Sequence, residues 1–313
     1  MKIIICAPIH DADHSNGILG LIHLARSLKK QGHHVKMCPM ASYPQEEYPI
    51  NVKVLIAESS KVDTHEYLVW QKIKYFIELY EIELLADFNK DYIEDNIVIY
   101  PEVIISNPLK ATKIVRYFGN KQGVLTGEIT PISPNDFILA HSKTLIENPN
   151  HILFFAYINP VFNDTGTNIA ENRCVDLYYY GKGSIYTKPE PVEGAIEITR
   201  QWPSKKKDLA LLLRNTRFFY TYDVWSNINL EAVLCGAVPI FLCDKPFTDN
   251  EIDSSELGKL PRIKFTDTDI SNSFFSDFEF ERSELKNRLK TIQERWNTDV
   301  KIFTEKLLKH FNL

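Results

Sequence analysis

Residues 217–241, RFFYTYDVWSNINLEAVLCGAVPIF, constrain the chain most, because they set strand, loop, helix and strand within one short stretch. Residues 218–222 are an aromatic run of strand type. Ser226 and Asn227 are N-cap residue types, and Gly236 closes the apolar-periodic turns that follow. The helix therefore begins in a loop, and its first amides, at residues 226–229, carry free N–H groups and the positive end of the helix dipole. Such a terminus is an anion site, and a phosphate is its natural guest. Asp223 precedes the helix and Glu231 lies a turn and a half inside it, so two carboxylates bracket that position. A plain surface acid on an amphipathic helix would leave the same spelling, and capped strand-loop-helix units occur throughout α/β proteins.

The same grammar runs along the rest of the chain. Residues 3–7 are a continuous apolar run of the kind found in a parallel strand buried on both faces. A polar loop follows, then a helix over 18–31 with Ile18, Leu21, Ile22, Ala25 and Leu28 on one face and Gly32 as its stop. Strands are expected at 34–39, 52–57, 97–100, 137–140 and 152–158, with helices at 65–85 and, basic in character, at 110–118. Residues 159–173 shift to Pro160, Asn163, Asp164, Gly166 and Asn168, which reads as a linker. Beyond it come strands at 175–180 and 195–199, a helix at 205–216, the central stretch, and a helix over 281–311. A chain of 313 residues that alternates in this way is expected to be α/β, with two Rossmann-like, doubly wound units. The turn Gly181-Lys182-Gly183 follows a strand directly; its glycines let backbone approach a ligand, and its lysine supplies a point charge suited to phosphate.

Asp223, seven intervening residues, Glu231-Ala232 and then Cys235-Gly236-Ala237-Val238-Pro239 resemble a signature of nucleotide-sugar glycosyltransferases of the GT-B fold: acidic-x7-Glu, Glu-Ala, small-Gly-x-x-Pro. Asn16-Gly17 and Gly32-His33-His34-Val35 resemble that fold's opening glycine loop and its Gly-His-x-Val strand entry. Residues 100–117, Y-P-E-x-x-x-x-N-P-L-x-A-x-x-x-V-R-Y, resemble a segment of compact bacterial and viral glycan-assembly transferases of the same type.

The resemblance implies two domains facing a central cleft, at 1–165 and 166–298, with a C-terminal helix at 299–313 crossing back to the first. It places Glu231 on the ribose hydroxyls and Asp223, where glutamate is commoner, on the donor sugar. The amides at Ser226 and Asn227 would hold the diphosphate, Lys182 would neutralise it as it leaves, and Arg173 would be a second phosphate ligand. Thr199 stands where backbone groups read the nucleotide base. In the first domain Glu102 is a candidate for contacting the acceptor, Asp13 is a candidate catalytic carboxylate, and Gly17 joins the donor-binding set. The implied activity is transfer of a sugar, with retention, from a nucleotide-diphosphate donor to an oligosaccharide or glycolipid acceptor in cell-surface polysaccharide or lipopolysaccharide assembly. No metal or bound cofactor is implied. A sugar-phosphate epimerase or phosphorylase on the same frame, and a non-catalytic nucleotide-sugar binding subunit, are the rival readings.

A net charge of −5 supplies no basic field for nucleic acid. Five cysteines, an odd number without a C-x-x-C pair, suit a reducing cytoplasm. The apolar run at residues 3–8 is short for a signal peptide, and residues 232–243, interrupted by Gly236 and Pro239, fall far short of a membrane span. The expected place is the cytoplasm or the inner face of the membrane, with peripheral attachment left open. His10, Asp11, Asp13 and His14 read as a solvated loop and Asp267-Thr268-Asp269 as a turn, so no metal is expected.

Overall fold

Three consecutive isoleucines, Ile3, Ile4 and Ile5, are wholly buried, which requires a strand covered on both faces. The computed structural model describes residues 1–8, 15–41, 48–49, 71, 81–85, 93–167, 169–265, 267 and 273–313. They form two units, Met1–Tyr157 with Glu294–Leu313, and Ile158–Gln293. The strand expected at 52–57, the helix over 65–80 and the loop that holds Asp13 lie outside the described residues, Gln71 excepted.

The first unit is built on β1 (Lys2–Pro8), α1 (Asn16–Lys30), β2 (His34–Ala41), β3 (Tyr48–Pro49), β4 (Ile97–Pro101), β5 (Lys113–Phe118), β6 (Phe137–Ala140) and β7 (His151–Ile152). Its sheet runs in the order β3-β2-β1-β4-β5-β6-β7 and is parallel except at β3. Alternation along β1 feeds two cores. Ile3, Ile5 and Ala7 pack with the apolar stripe of α1. Ile4 and Cys6 pack with Cys38, Met40, Val98 and Tyr100 on the other face. The strand order turns back between β1 and β4, so the ligand crevice of this sheet lies outside their carboxyl ends.

Two stretches expected to be helical are not, for backbone reasons. The last five residues of the helix expected at 65–85 leave it: Glu81 turns at φ 53°, and Leu84 bridges Met37 in parallel, with Leu85 N donating to Met37 O at 2.8 Å, while Gln71 is helical. The basic helix at 110–118 is the strand β5. Lys110, at φ 53°, ends a turn whose amide and carbonyl groups are held by Asn107, and the β-branched Ile114 and Val115 then suit a strand.

The second unit holds β8 (Val175–Tyr179), β9 (Ile196–Glu197), α2 (Lys206–Asn215), β10 (Thr216–Thr221), α3 (Asn227–Leu234), β11 (Val238–Phe241) and α4 (Asp249–Asp253). Its sheet is wholly parallel, in the order β11-β10-β8-β9, over a core of Leu177, Tyr179, Phe219, Ala210, Leu213 and Ala232. The order again reverses at its centre, between β8 and β10. The last helix, α5 (Phe274–His310), gives its residues up to Gln293 to this unit and the rest to the first, where Val300, Phe303 and Leu307 are wholly buried.

Candidate functional site

At the switch point of the second sheet, the segments leaving β8 and β10 meet side by side. Tyr222 N donates to Tyr179 O at 3.0 Å, which brings the Gly181-Lys182-Gly183 turn against Asp223. The glycines are needed there. A Cβ on Gly183 would lie 2.2 Å from Tyr222 O, and one on Gly181, at φ 51°, would lie 2.5 Å from Asp223 Oδ2. Gly183→Ala must therefore displace backbone, and is expected to cost roughly 1–3 kcal/mol of stability in urea unfolding. An unaltered midpoint would refute this tight approach.

Asp223 is buried, and its Oδ2 accepts from the backbone N–H of Lys182 at 3.0 Å. Lys182 Nζ lies 3.8 Å from Asp223 Oδ1 and donates to Trp225 O at 3.1 Å. Trp225 is itself held by stacking on Phe247, with ring centroids 4.6 Å apart. The helix α3 starts four residues on from Asp223. Its N-cap, Ser226, makes no side-chain cap bond, unlike Ser15 on α1 and Thr248 on α4. The amides at the start of the first turn are thus left to another partner.

Glu231 lies in α3 with only 9% of its surface exposed, and its Oε1 accepts from Asn227 Nδ2 at 3.0 Å. Burial pushes its carboxyl up to about 7, against the pull of Lys206 and Asn227. Burial and the Asp223 carboxylate raise the Tyr179 hydroxyl above its ordinary value, against the pull of Arg200. Thr199, at the carboxyl end of β9, closes a turn: its Oγ1 accepts from Gln201 N and Trp202 N, and its N–H donates to Trp202 O. Lys182, Asp223, Ser226, Asn227, Glu231 and Thr199 therefore share the carboxyl edge of one sheet.

Arg173 does not belong with them. It precedes β8, at the amino edge, so the five residues of that strand, roughly 16 Å, separate it from Lys182. Its Nη1 donates to the carbonyls of Leu213, Thr216 and Cys235, and the positive φ of Gly236 leaves room for its Nη2 where a Cβ would lie 2.5 Å away. The arginine locks helix ends and strand starts together, and the expectation of a phosphate ligand is corrected accordingly.

Glu102 and Gly17 belong to the first unit. Glu102 follows β4, at that sheet's switch point, where its carboxylate accepts from Gly119 N at 3.0 Å and Asn120 Nδ2 at 3.3 Å. Gly17 lies in the first turn of α1. Asp13 is outside the described residues. Among the described residues no group of three or more His, Cys, Asp or Glu is placed to hold a metal ion, and no helix is long and apolar enough to cross a membrane. Sequence reasoning missed Asn229, whose only signal was a polar residue at an apolar position of α3.

No protein-family model and no curated protein matches the chain. Among solved structures it is similar to the spinosyn rhamnosyltransferase SpnG, at 9% identity over 98% of this chain and 96% of that one, with a TM-score of 0.35. It is also similar to the glycosyltransferase VinC in complex with DTDP, at 12% identity over 99% of both chains and a TM-score of 0.40. The rhamnosyltransferase complexed with thymidine diphosphate is similar at 10% identity, over 99% of this chain and 96% of that one, with a TM-score of 0.34.

Proposed function

We propose that the chain is a glycosyltransferase that takes its sugar from a nucleoside-diphosphate donor. The observation that carries this is the juxtaposition of Lys182, Asp223 and the uncapped start of α3 at one switch point, with Glu231 one turn and a half further on. Breaking the bond between the anomeric carbon and the diphosphate leaves the electron pair on the phosphate, and positive potential aimed there lowers the barrier. Lys182 and the first amides of α3 supply that potential. Glu231 orients the ribose through its hydroxyls, and Asp223 orients the sugar. An acceptor hydroxyl then bonds to the anomeric carbon and loses its proton, which in a retaining reaction passes to the departing phosphate oxygen. The acceptor is a glycan or glycolipid of the cell surface, met by the first unit at Glu102 on the cytoplasmic side.

The test is incubation with UDP-, GDP- and CMP-sugars while free nucleotide is followed. Slow release of the nucleotide is the expected result; binding without turnover would instead mark a non-catalytic subunit. Lys182→Ala is expected to weaken UDP or GDP binding by about 1.5–3 kcal/mol, the range of a charged hydrogen bond. Calorimetry that finds the affinity unchanged would remove Lys182 from the site. Asp223→Asn is expected to keep affinity for the free nucleotide and to lose turnover.

A further inference from the structure

Asn229 is 1% exposed and lies in the first turn of α3. Its Nδ2 donates to the carbonyls of Asp223 at 2.9 Å and Val224 at 3.1 Å, so both hydrogens of the amide are committed to the loop that carries Asp223. Turning the amide over would set its oxygen against two carbonyl oxygens. The orientation is therefore decided, and it leaves Oδ1 buried with no hydrogen-bond donor among the described residues. A buried acceptor without a donor costs stability.

The same turn lacks its side-chain cap, because Ser226 makes none. One turn thus carries two unmet demands, its N–H groups for an anion and Oδ1 for a hydrogen donor. A phosphorylated polyol meets both.

We infer that Asn229 reads the donor sugar: Oδ1 accepts from a hydroxyl, or from another hydrogen-donating substituent, on the sugar ring attached to the diphosphate, while Nδ2 positions Asp223. This role presupposes the donor site proposed above and narrows it to sugars that keep a hydrogen donor at one ring position. The full chain and Asn229→Leu are titrated by calorimetry with UDP, TDP and GDP, and with UDP-glucose, TDP-glucose, GDP-mannose and their monodeoxy counterparts. Asn229→Ser serves if the leucine variant does not fold. In the parent protein one deoxy position is expected to weaken binding by roughly 10–100-fold, the effect of leaving one buried acceptor unpaired. In Asn229→Leu that penalty should vanish while any penalty at other positions persists; Asn229→Ser, whose oxygen sits too far back, should reduce it. If every deoxy sugar binds the parent as its full counterpart does, or if the penalty survives in the variant, Oδ1 faces a buried water and the inference is overturned. Failure of the parent to bind any of the three free diphosphates overturns the donor site itself, and this inference with it.

Discussion

Glu231→Gln is expected to be harder to unfold than the parent at pH 8 and to bind its nucleotide less well. The carboxyl is raised by burial from its ordinary 4.5 to about 7, so the fold favours the protonated form. The sign follows. A raised value contributes stability that is fully present below pH 4.5 and is lost as pH rises through about 7, where the parent must hold a buried charge. A glutamine never ionises and loses nothing. The gap between the two proteins in urea should open across that window and reach about 3 kcal/mol at pH 8, at 1.36 kcal/mol per unit of displacement. A gap that does not vary with pH would show that burial does not govern this carboxyl. Binding should move the other way. A carboxylate accepts from both ribose hydroxyls with charge assistance, whereas the amide accepts with one neutral oxygen, so the dissociation constant should rise roughly tenfold or more. The parent's affinity should also climb as pH passes 7, and the variant's should stay flat. If Glu231→Gln binds the free nucleotide as the parent does, the ribose role is wrong and α3 is structural.

Arg173→Met should destabilise the second unit by about 2–5 kcal/mol, because the buried carbonyls of Thr216 and Cys235 lose the guanidinium as donor at roughly 1–3 kcal/mol each before relaxation, while Leu213 O keeps the Thr216 N–H. Urea unfolding measures this directly. Affinity of the remaining folded protein for UDP or GDP should be unaltered, since the guanidinium lies at the amino edge of the sheet and the candidate site at the carboxyl edge. Lost nucleotide binding with an unaltered midpoint would reverse the assignment and return Arg173 to the phosphate.

The contrast between Arg173 and Lys182 shows what the sequence makes legible. Both are cations flanking the same strand, and the resemblance implies a phosphate for Lys182 first and for Arg173 second. Lys182 follows β8 between two glycines, and that spelling reports a close backbone approach. Arg173 precedes the strand, and its partners come from residues some 40 and 62 positions away, which no local pattern records. Likewise the run of isoleucines in β1 and the strand-loop-helix unit at 217–241 are readable because their apolar spacing has one solution. Residues 110–118 have two: their apolar positions fit a helical stripe as well as a strand, and the backbone of Lys110, held by the Asn107 turn, decides between them. Asn229 left only a faint mark, a polar residue at an apolar position of α3, for a further reason. Its significance lies in a bond that is not made, and a sequence carries no sign of an orphaned oxygen.

Lys182 already has company, in the carbonyl of Trp225 and the carboxylate of Asp223. For the donor site proposed here this acts as a sieve by valence. Chloride, or a neutral sugar, offers the ammonium a weaker attraction than the one it would leave, so at cellular salt the lysine stays where it is. A diphosphate carries enough negative charge to compete for the ammonium, and the competition would loosen its pairing with Asp223 Oδ1 while Oδ2 keeps the Lys182 N–H. The guest that brings the charge would thus release one oxygen of the carboxylate its own sugar needs and leave the other anchored.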